Sequence, residues 1–284
     1  MDRLHPKAVR ETLFLHWGPG SNAYVERQLL GHRYASICFW DQPKIHQSRH
    51  AFGCLLDAAV AEAERLAEQA EGTVNLMAHS FGGHLAAGVL AAIPEKIGDC
   101  HLFSTGYDVA SGFRRLLEIM AADPGTEGHL RNRINGTLQG HRSARPDWAE
   151  VWRHIELAFS DPEVLHHYWS RPQQYDAYVT LAACAPPLHL QTFQNVLCSF
   201  LGKHFGRSQP IRSDHRILIE LGGLDPLFAV ADARKGWALQ FPTAQFIDRP
   251  GSGHFIHLEP YLAVDGALDH SNDDFNSADV EPDT

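Results

Sequence analysis

The stretch TVNLMAHSFGGHLAAGVLAAIP, residues 73–94, constrains this chain more than any other. It reads as a strand from Thr73 to Ala78, a sharp turn at Ser80 among small neighbours, and a helix that stops at Pro94, where the backbone donor is missing. The same alternation surrounds it. ETLFLH (Glu11–His16), YASICFW (Tyr34–Trp40) and CHLFST (Cys100–Thr105) are short apolar runs ending at polar or turn-prone residues, as buried strands do. Between His50 and Glu71, residues Leu55, Leu56, Ala59, Ala63, Leu66 and Ala70 fall at helical spacing. Strands separated by helices imply right-handed crossovers, hence an α/β fold with a mostly parallel sheet covered by helices on both faces.

From Tyr107 to about Gly206 the pattern turns helical throughout, including DWAEVWRHIELAF and PEVLHHYW. The alternation then resumes with RILIEL (Arg216–Leu221), a helix over Ala229–Leu239, the strand AQFID (Ala244–Asp248) and a final short helix beyond His254. The expected organisation is therefore a split core, residues 1–106 and 207–268, interrupted by a helical insertion over 107–206. Residues 269–284 form an acidic tail expected to be a solvated end: the last twenty residues hold Asp265, Asp269, Asp273, Asp274, Asp279, Glu281 and Asp283 without a Lys or Arg. This tail carries most of the formal net charge of -10, so the charge balance offers no footprint for nucleic acid. No apolar run approaches the roughly 18 residues of a membrane span, and the start is polar; a soluble, unexported protein is expected. The five cysteines are odd in number, widely spaced and mostly in apolar stretches, which suits reduced core thiols in the cytoplasm. The oligomeric state is not readable from these features.

Chemistry is concentrated at AHSFG, Ala78–Gly82. A nucleophilic serine needs a tight strand-to-helix turn, which lifts its hydroxyl from the sheet and points the next helix N-terminus at a reacting carbonyl. Small residues at both flanks permit that turn, and Ser80 has them. With this motif in its strand-turn-helix setting, the chain from Glu11 to about Leu268 resembles the α/β-hydrolase superfamily. HWGPG at His16–Gly20 looks like that family's oxyanion loop, and WDQ at Trp40–Gln42 falls where related members carry a similar tripeptide. In the proline iminopeptidase branch these places usually read HGGPG and a variant of DQRG. Two residues depart from the pattern: Ala78 replaces the first glycine of the elbow, and Trp17 stands where glycine is common. Alanine is small enough for the turn, whereas the indole of Trp17 either crowds or lines the acyl site. The resemblance implies an oxyanion hole made by the Phe81 N–H together with that of Trp17 or Gly18.

The order serine, acid, histidine is the one expected of this fold. Asp225 follows RILIEL in GGLDPLF and is similar to the family's acid loop; His254 follows AQFID in RPGSGHFIHLEP and is similar to its histidine loop. Gly251 and Gly253 are expected to let that loop bend the imidazole back over the sheet, with His257 three residues on in the helix. Asp108, at the end of an earlier strand, is the rival acid. Among the 19 histidines, His79 and His84 read as packing or supporting groups. His166 and His167 suggest a metal site, but adjacent helical residues point about 100° apart and so do not share a face. With no HExxH or CxxC present, neither a metal nor a cofactor is expected.

By resemblance, the insertion is a cap over the active site. Its aromatic residues are Phe113, Trp148, Trp152, Tyr168, Trp169, Tyr175, Tyr178, Phe193, Phe200 and Phe205, enough to line an apolar pocket. The favoured reading is a serine hydrolase in which Ser80 attacks an ester, lactone or related acyl bond of a small apolar metabolite, with His254 as base and Asp225 as its orienter. A proline iminopeptidase-like aminopeptidase is an alternative and needs acidic cap residues for the free amine, with Glu118, Glu150, Glu156 and Glu163 as candidates. An acyltransferase would use the same acyl-enzyme. A ligand receptor keeping the fold without turnover is the non-enzymatic alternative, and the complete set of three residues argues against it.

Overall fold

The computed structural model describes residues 11–47, 49–140, 147–203, 210–211 and 214–262. Six strands form the sheet: β1 (Thr12–Leu15), β2 (Ile37–Trp40), β3 (Val74–His79), β4 (Ile97–Phe103), β5 (Ile217–Gly222) and β6 (Gln245–Arg249). Their order is β2-β1-β3-β4-β5-β6 and every pairing is parallel. Between them come α1 (Tyr24–Leu30), α2 (Ala51–Gln69), α3 (Gly82–Ala92) and α9 (Val230–Gln240), while α4 (Val109–Ala122), α5 (Gly128–Gly140), α6 (Trp148–Ala158), α7 (Pro172–Ala182) and α8 (Leu190–Lys203) all lie between β4 and β5. The acidic tail over 269–284 falls outside the described residues.

Side-chain alternation explains the layers. Leu13 and Leu15 of β1 pack in one cluster with Leu55 of α2, Leu85 of α3 and Trp237 of α9. Phe14 points to the other face and meets Phe39 and His257, where α1 and the turn through Phe255 and Leu258 close over the sheet. Local chemistry fixes the helix starts: Asp108 caps α4 by accepting from the Ser111 N–H, Asp147 caps α6 through the Glu150 N–H, and Pro172 opens α7. No helix among the described residues is long and apolar enough to cross a membrane.

Three expectations change. β2 begins at Ile37 rather than Tyr34, because the amides of Tyr34 and Ile37 are spent on a turn, bonding the carbonyls of Leu30 and Tyr34. Beyond His254 the described chain forms a turn ending in a 3-10 segment, Glu259–Tyr261, so His257 is not helical. Of the five cysteines only Cys100 is fully buried, which pushes its thiol up to about 12; Cys184 is exposed.

The chain runs from β1 to β2 in one direction and from β3 onward in the other. The carboxyl ends of β1 and β3 therefore flank a topological switch point, the place where parallel sheets leave a crevice for a ligand.

Candidate active site

Ser80 follows β3 at that crevice, with φ of 54°, in the left-handed region that costs a non-glycine residue about 1–3 kcal/mol. The turn is held by the Ser80 N–H on the Phe103 carbonyl and the Gly83 N–H on the Ser80 carbonyl, both at 3.0 Å. Gly82 is required by close approach: a Cβ there would stand 2.1 Å from the Leu15 carbonyl oxygen. Phe81 stands at the N-cap of α3, where amides lack intrahelical acceptors.

Asp225 follows β5 and His254 follows β6, and the sheet brings both to Ser80. His254 Nε2 lies 2.8 Å from Ser80 Oγ, and His254 Nδ1 lies 2.6 Å from Asp225 Oδ2. A carboxylate only accepts, so the imidazole proton sits on Nδ1 and the Nε2 lone pair faces the serine hydroxyl. The Leu227 N–H donates to Asp225 Oδ1 at 2.8 Å, using the second carboxylate oxygen. Asp225 and His254 are 1% and 2% exposed, which strengthens these bonds by excluding water. The arrangement can take a proton from Ser80 as its oxygen attacks. Asp108, the rival acid, spends both its oxygens on Ser111, at 3.0 Å to its N–H and 2.5 Å to its hydroxyl.

The backbone of His254 is clamped at both ends. Its N–H donates to the Tyr168 carbonyl at 2.7 Å, and His79 Nε2–H donates to its carbonyl at 3.0 Å. Glu259 Oε1 accepts from the amides of Gly253 and Ser170, both at 2.9 Å, joining the histidine loop to the segment after Tyr168. The expected role of the loop glycines narrows to one. A Cβ at Gly253 would meet the Tyr168 carbonyl at 2.4 Å, whereas one at Gly251 would meet nothing within 4 Å. The clamps made by Tyr168 and Glu259 carry no local sequence signature, because each joins segments far apart in the chain.

Burial keeps the surrounding imidazoles neutral. His79 titrates well below its ordinary range because burial penalises the cation, with His257 and His254 adding repulsion. His84, donating through Nε2 to the Gly106 carbonyl at 3.0 Å, is lowered to about 4 by burial, partly offset by that bond. His16 and His257 are lowered for the same first reason.

The loop of Trp17 and Gly18 follows β1 and lines the same cleft as Phe81. Gln42 holds it in place. Its side chain donates to the His16 carbonyl at 3.2 Å and accepts from the Gly20 N–H at 3.3 Å, while its own N–H reaches His16 Nε2 at 3.4 Å. Asp41 accepts from the Ala23 N–H at 3.0 Å and pairs with Arg27. The WDQ tripeptide thus acts as a brace for the loop that precedes it.

A cleft of about 80 Å³ opens above Ser80, and Trp17, Phe113, Phe159, Tyr168, Phe193 and Leu227 give it an apolar wall. Of the nine aromatic candidates among the described residues, Phe113, Tyr168 and Phe193 line it. Trp169 and Tyr178 pack on Phe255, Phe200 on Phe52 and Phe81, and Trp148 on Trp152. Phe205 lies outside the described residues. Phe159, 42% exposed at the end of α6, was not among the candidates; its position past a helix end gives no sign that it turns into the cleft.

Among the described residues, two groups of side chains have the donor types and proximity to hold a metal ion: Glu26, His79 and His257 in the interior, and Asp123, His166 and His167 nearer the surface. The second overturns the geometric argument that adjacent histidines cannot converge. Val164–Tyr168 is a 3-10 turn rather than an α-helix, and side-chain rotation brings the His166 and His167 rings to 3.9 Å.

The model of the alpha/beta hydrolase family matches residues 13–267. No curated protein matches the chain. Among solved structures, it is similar to a proline iminopeptidase-related protein from Thermus thermophilus, with 19% identity, coverage of 90% of this chain and 86% of that one, and a TM-score of 0.60. It is also similar to the 2-hydroxy-6-oxo-6-phenylhexa-2,4-dienoate hydrolase of Rhodococcus sp. strain RHA1, at 16% identity, 88% and 85% coverage, and a TM-score of 0.56. A thermophilic esterase from Thermogutta terrifontis shares 12% identity over 89% and 84% of the two chains, with a TM-score of 0.54. At such identities the structural likeness concerns the fold, and the family follows from the match over most of the sequence: this chain belongs to the α/β-hydrolase family.

Proposed function

We propose that this protein is a serine hydrolase that cleaves an ester, lactone or related acyl bond of a small apolar metabolite through an acyl-enzyme on Ser80. The observation that carries the reading is the unbroken chain Asp225–His254–Ser80, with links of 2.6 and 2.8 Å, at the floor of an apolar cleft. As Ser80 Oγ bonds to the acyl carbon, its proton passes to His254 Nε2, and Asp225 stabilises the imidazolium. The oxyanion accepts from the Phe81 N–H and from the N–H of Trp17 or Gly18. Collapse breaks the bond to the leaving oxygen, which takes the proton from His254. Water then attacks the acyl-enzyme, again giving its proton to Nε2, and Ser80 is regenerated.

In this reading helices α4 to α8 form the cap, and Phe113, Phe159, Tyr168 and Phe193 contact the acyl group. An aminopeptidase would need carboxylates in the cleft. Of the four candidates, Glu118 pairs with Arg114, Glu156 accepts from the Trp152 indole N–H, and neither these two nor Glu150 or Glu163 lines the cleft; Asp108 does line it, but both its oxygens accept from Ser111. A parallel screen of p-nitrophenyl esters and aminoacyl-naphthylamides tests the assignment. Ester turnover that disappears in Ser80→Ala is expected; amide turnover dependent on a free α-amine, without ester turnover, would sink it.

A further inference from the structure

Asp123 terminates α4, and His166 and His167 occupy the 3-10 turn Val164–Tyr168 that packs beside it. Both histidine Nε2 atoms stand 3.7 Å from Asp123 Oδ2, beyond hydrogen-bond length. Two of the three groups are already oriented. His166 Nδ1–H donates to the Glu163 carbonyl at 2.9 Å, which in the neutral ring leaves the Nε2 lone pair facing Asp123. The Gly125 N–H donates to Asp123 Oδ1 at 2.9 Å, leaving Oδ2 to the histidines. The His167 side chain is 7% exposed, and its Nε2 is buried with no hydrogen-bond partner among the described residues. His166 Nε2 and Asp123 Oδ2 are therefore two acceptors 3.7 Å apart, and the unpartnered His167 Nε2 stands at the same distance from that carboxylate oxygen.

We propose that Asp123 Oδ2, His166 Nε2 and His167 Nε2 form a binding site for a divalent transition-metal ion of the Zn²⁺ type, with a remaining position open to water. Ligand atoms around tetrahedral zinc, with bonds near 2.0–2.1 Å, lie about 3.3 Å apart. The two 3.7 Å separations to Asp123 must then close by about 0.4 Å, and the two histidine nitrogens, within 4.8 Å of one another, by at most about 1.5 Å, within reach of side-chain rotations. Two imidazoles with one carboxylate favour zinc and its neighbours over magnesium or calcium, which take oxygen ligands. Side-chain exposures of 41% for His166 and 27% for Asp123 leave the ion a way in. The interior group of Glu26, His79 and His257 has no such path: its side chains are nearly sealed, with His257 and Glu26 at 1% and 2%.

The ion would join the end of α4 to the turn that leads straight into Tyr168, whose carbonyl accepts from the His254 N–H at 2.7 Å. Binding there would brace the histidine loop; that consequence rests on the hydrolase reading, whereas the site itself does not.

The test is titration of the chelator-stripped protein with ZnCl2 against a chromophoric competitor, with thermal melting in parallel. One saturable equivalent is expected, raising Tm by about 5 °C at a hundredfold excess over Kd. His166→Gln, His167→Gln and Asp123→Asn should each weaken binding at least about tenfold and remove the Tm shift, while melting without metal as the parent does. If His167→Gln fails to fold, the more exposed Asp123 and His166 variants decide the matter. An equivalent that survives in those variants, that is lost instead in Glu26→Gln, or that never saturates overturns the proposal. Because binding and melting are read without substrate, an inactive enzyme would leave this result standing and would count only against the hydrolase reading.

Discussion

Replacing Asp225 with Asn changes one oxygen to an NH2 group at a site where both oxygens are in use. Oδ2 accepts from His254 Nδ1–H at 2.6 Å and Oδ1 from the Leu227 N–H at 2.8 Å. The amide can satisfy one of these donors. If its oxygen stays on His254, its NH2 faces the Leu227 N–H, and a buried unsatisfied donor costs about 1–3 kcal/mol. If the amide turns, its NH2 donates to His254 Nδ1, and the ring proton moves to Nε2, where it faces Ser80 instead of accepting from it. A preference of that size leaves roughly one ring in 5 to 150 in the competent tautomer. Loss of the charge that stabilises the imidazolium multiplies the defect, so kcat should fall by about 10³–10⁴, with KM little changed. Asp108→Asn should change kcat less than about threefold, since that side chain caps α4. Steady-state kinetics on the best ester, with melting curves to verify folding, give both numbers. An Asp225→Asn enzyme within tenfold of the parent, or a larger defect from Asp108→Asn, would refute the assignment.

Ser80→Ala should abolish turnover and leave Tm within a few degrees, because the hydroxyl faces the cleft and the strained φ is unchanged by alanine; activity above a few per cent would remove Ser80 as nucleophile. Across a series of lengthening acyl chains, kcat/KM should rise by at most about fourfold per methylene and flatten once the cleft is full, a rise set by about 0.8 kcal/mol per buried CH2. Free-amine substrates preferred by more than about a hundredfold would instead favour the aminopeptidase. Acid should destabilise the fold. His84 is held at about 4 against an ordinary 6.5, so its contribution is complete above 6.5 and is lost as pH falls toward 4. At pH 5 that loss is at most about 2 kcal/mol, less to the extent that the ring borders the cleft, and buried His16, His79 and His257 act in the same direction. A Tm unchanged between pH 7.5 and 5, or a slope no shallower in His84→Gln, would contradict this.

The meeting of Ser80, Asp225 and His254, the proposed catalytic residues, was legible in the sequence because each sits just past a strand whose apolar pattern is plain, and the parallel sheet delivers all strand ends to one edge. The supporting contacts were hidden for the opposite reason. Tyr168 reaches His254 across 85 residues of intervening chain, and Glu259 braces Gly253 through a turn that reads as helix. The same ambiguity concealed the pairing of His166 with His167: a five-residue apolar pattern does not separate a 3-10 turn from an α-helix, and Cβ directions ignore how far an imidazole swings about χ1. Gln42 was visible only as part of a familiar tripeptide; its three bonds to His16 and Gly20 supply the physical reason for it.

The central claim is that Ser80 is a nucleophile activated by His254, and covalent labelling tests it most directly. A fluorophosphonate probe, followed by intact-mass and peptide mass spectrometry, should give one adduct located on Ser80. Labelling should slow by orders of magnitude in His254→Ala and vanish in Ser80→Ala. An adduct on another residue, or labelling of Ser80 that is indifferent to the loss of His254, would contradict the account.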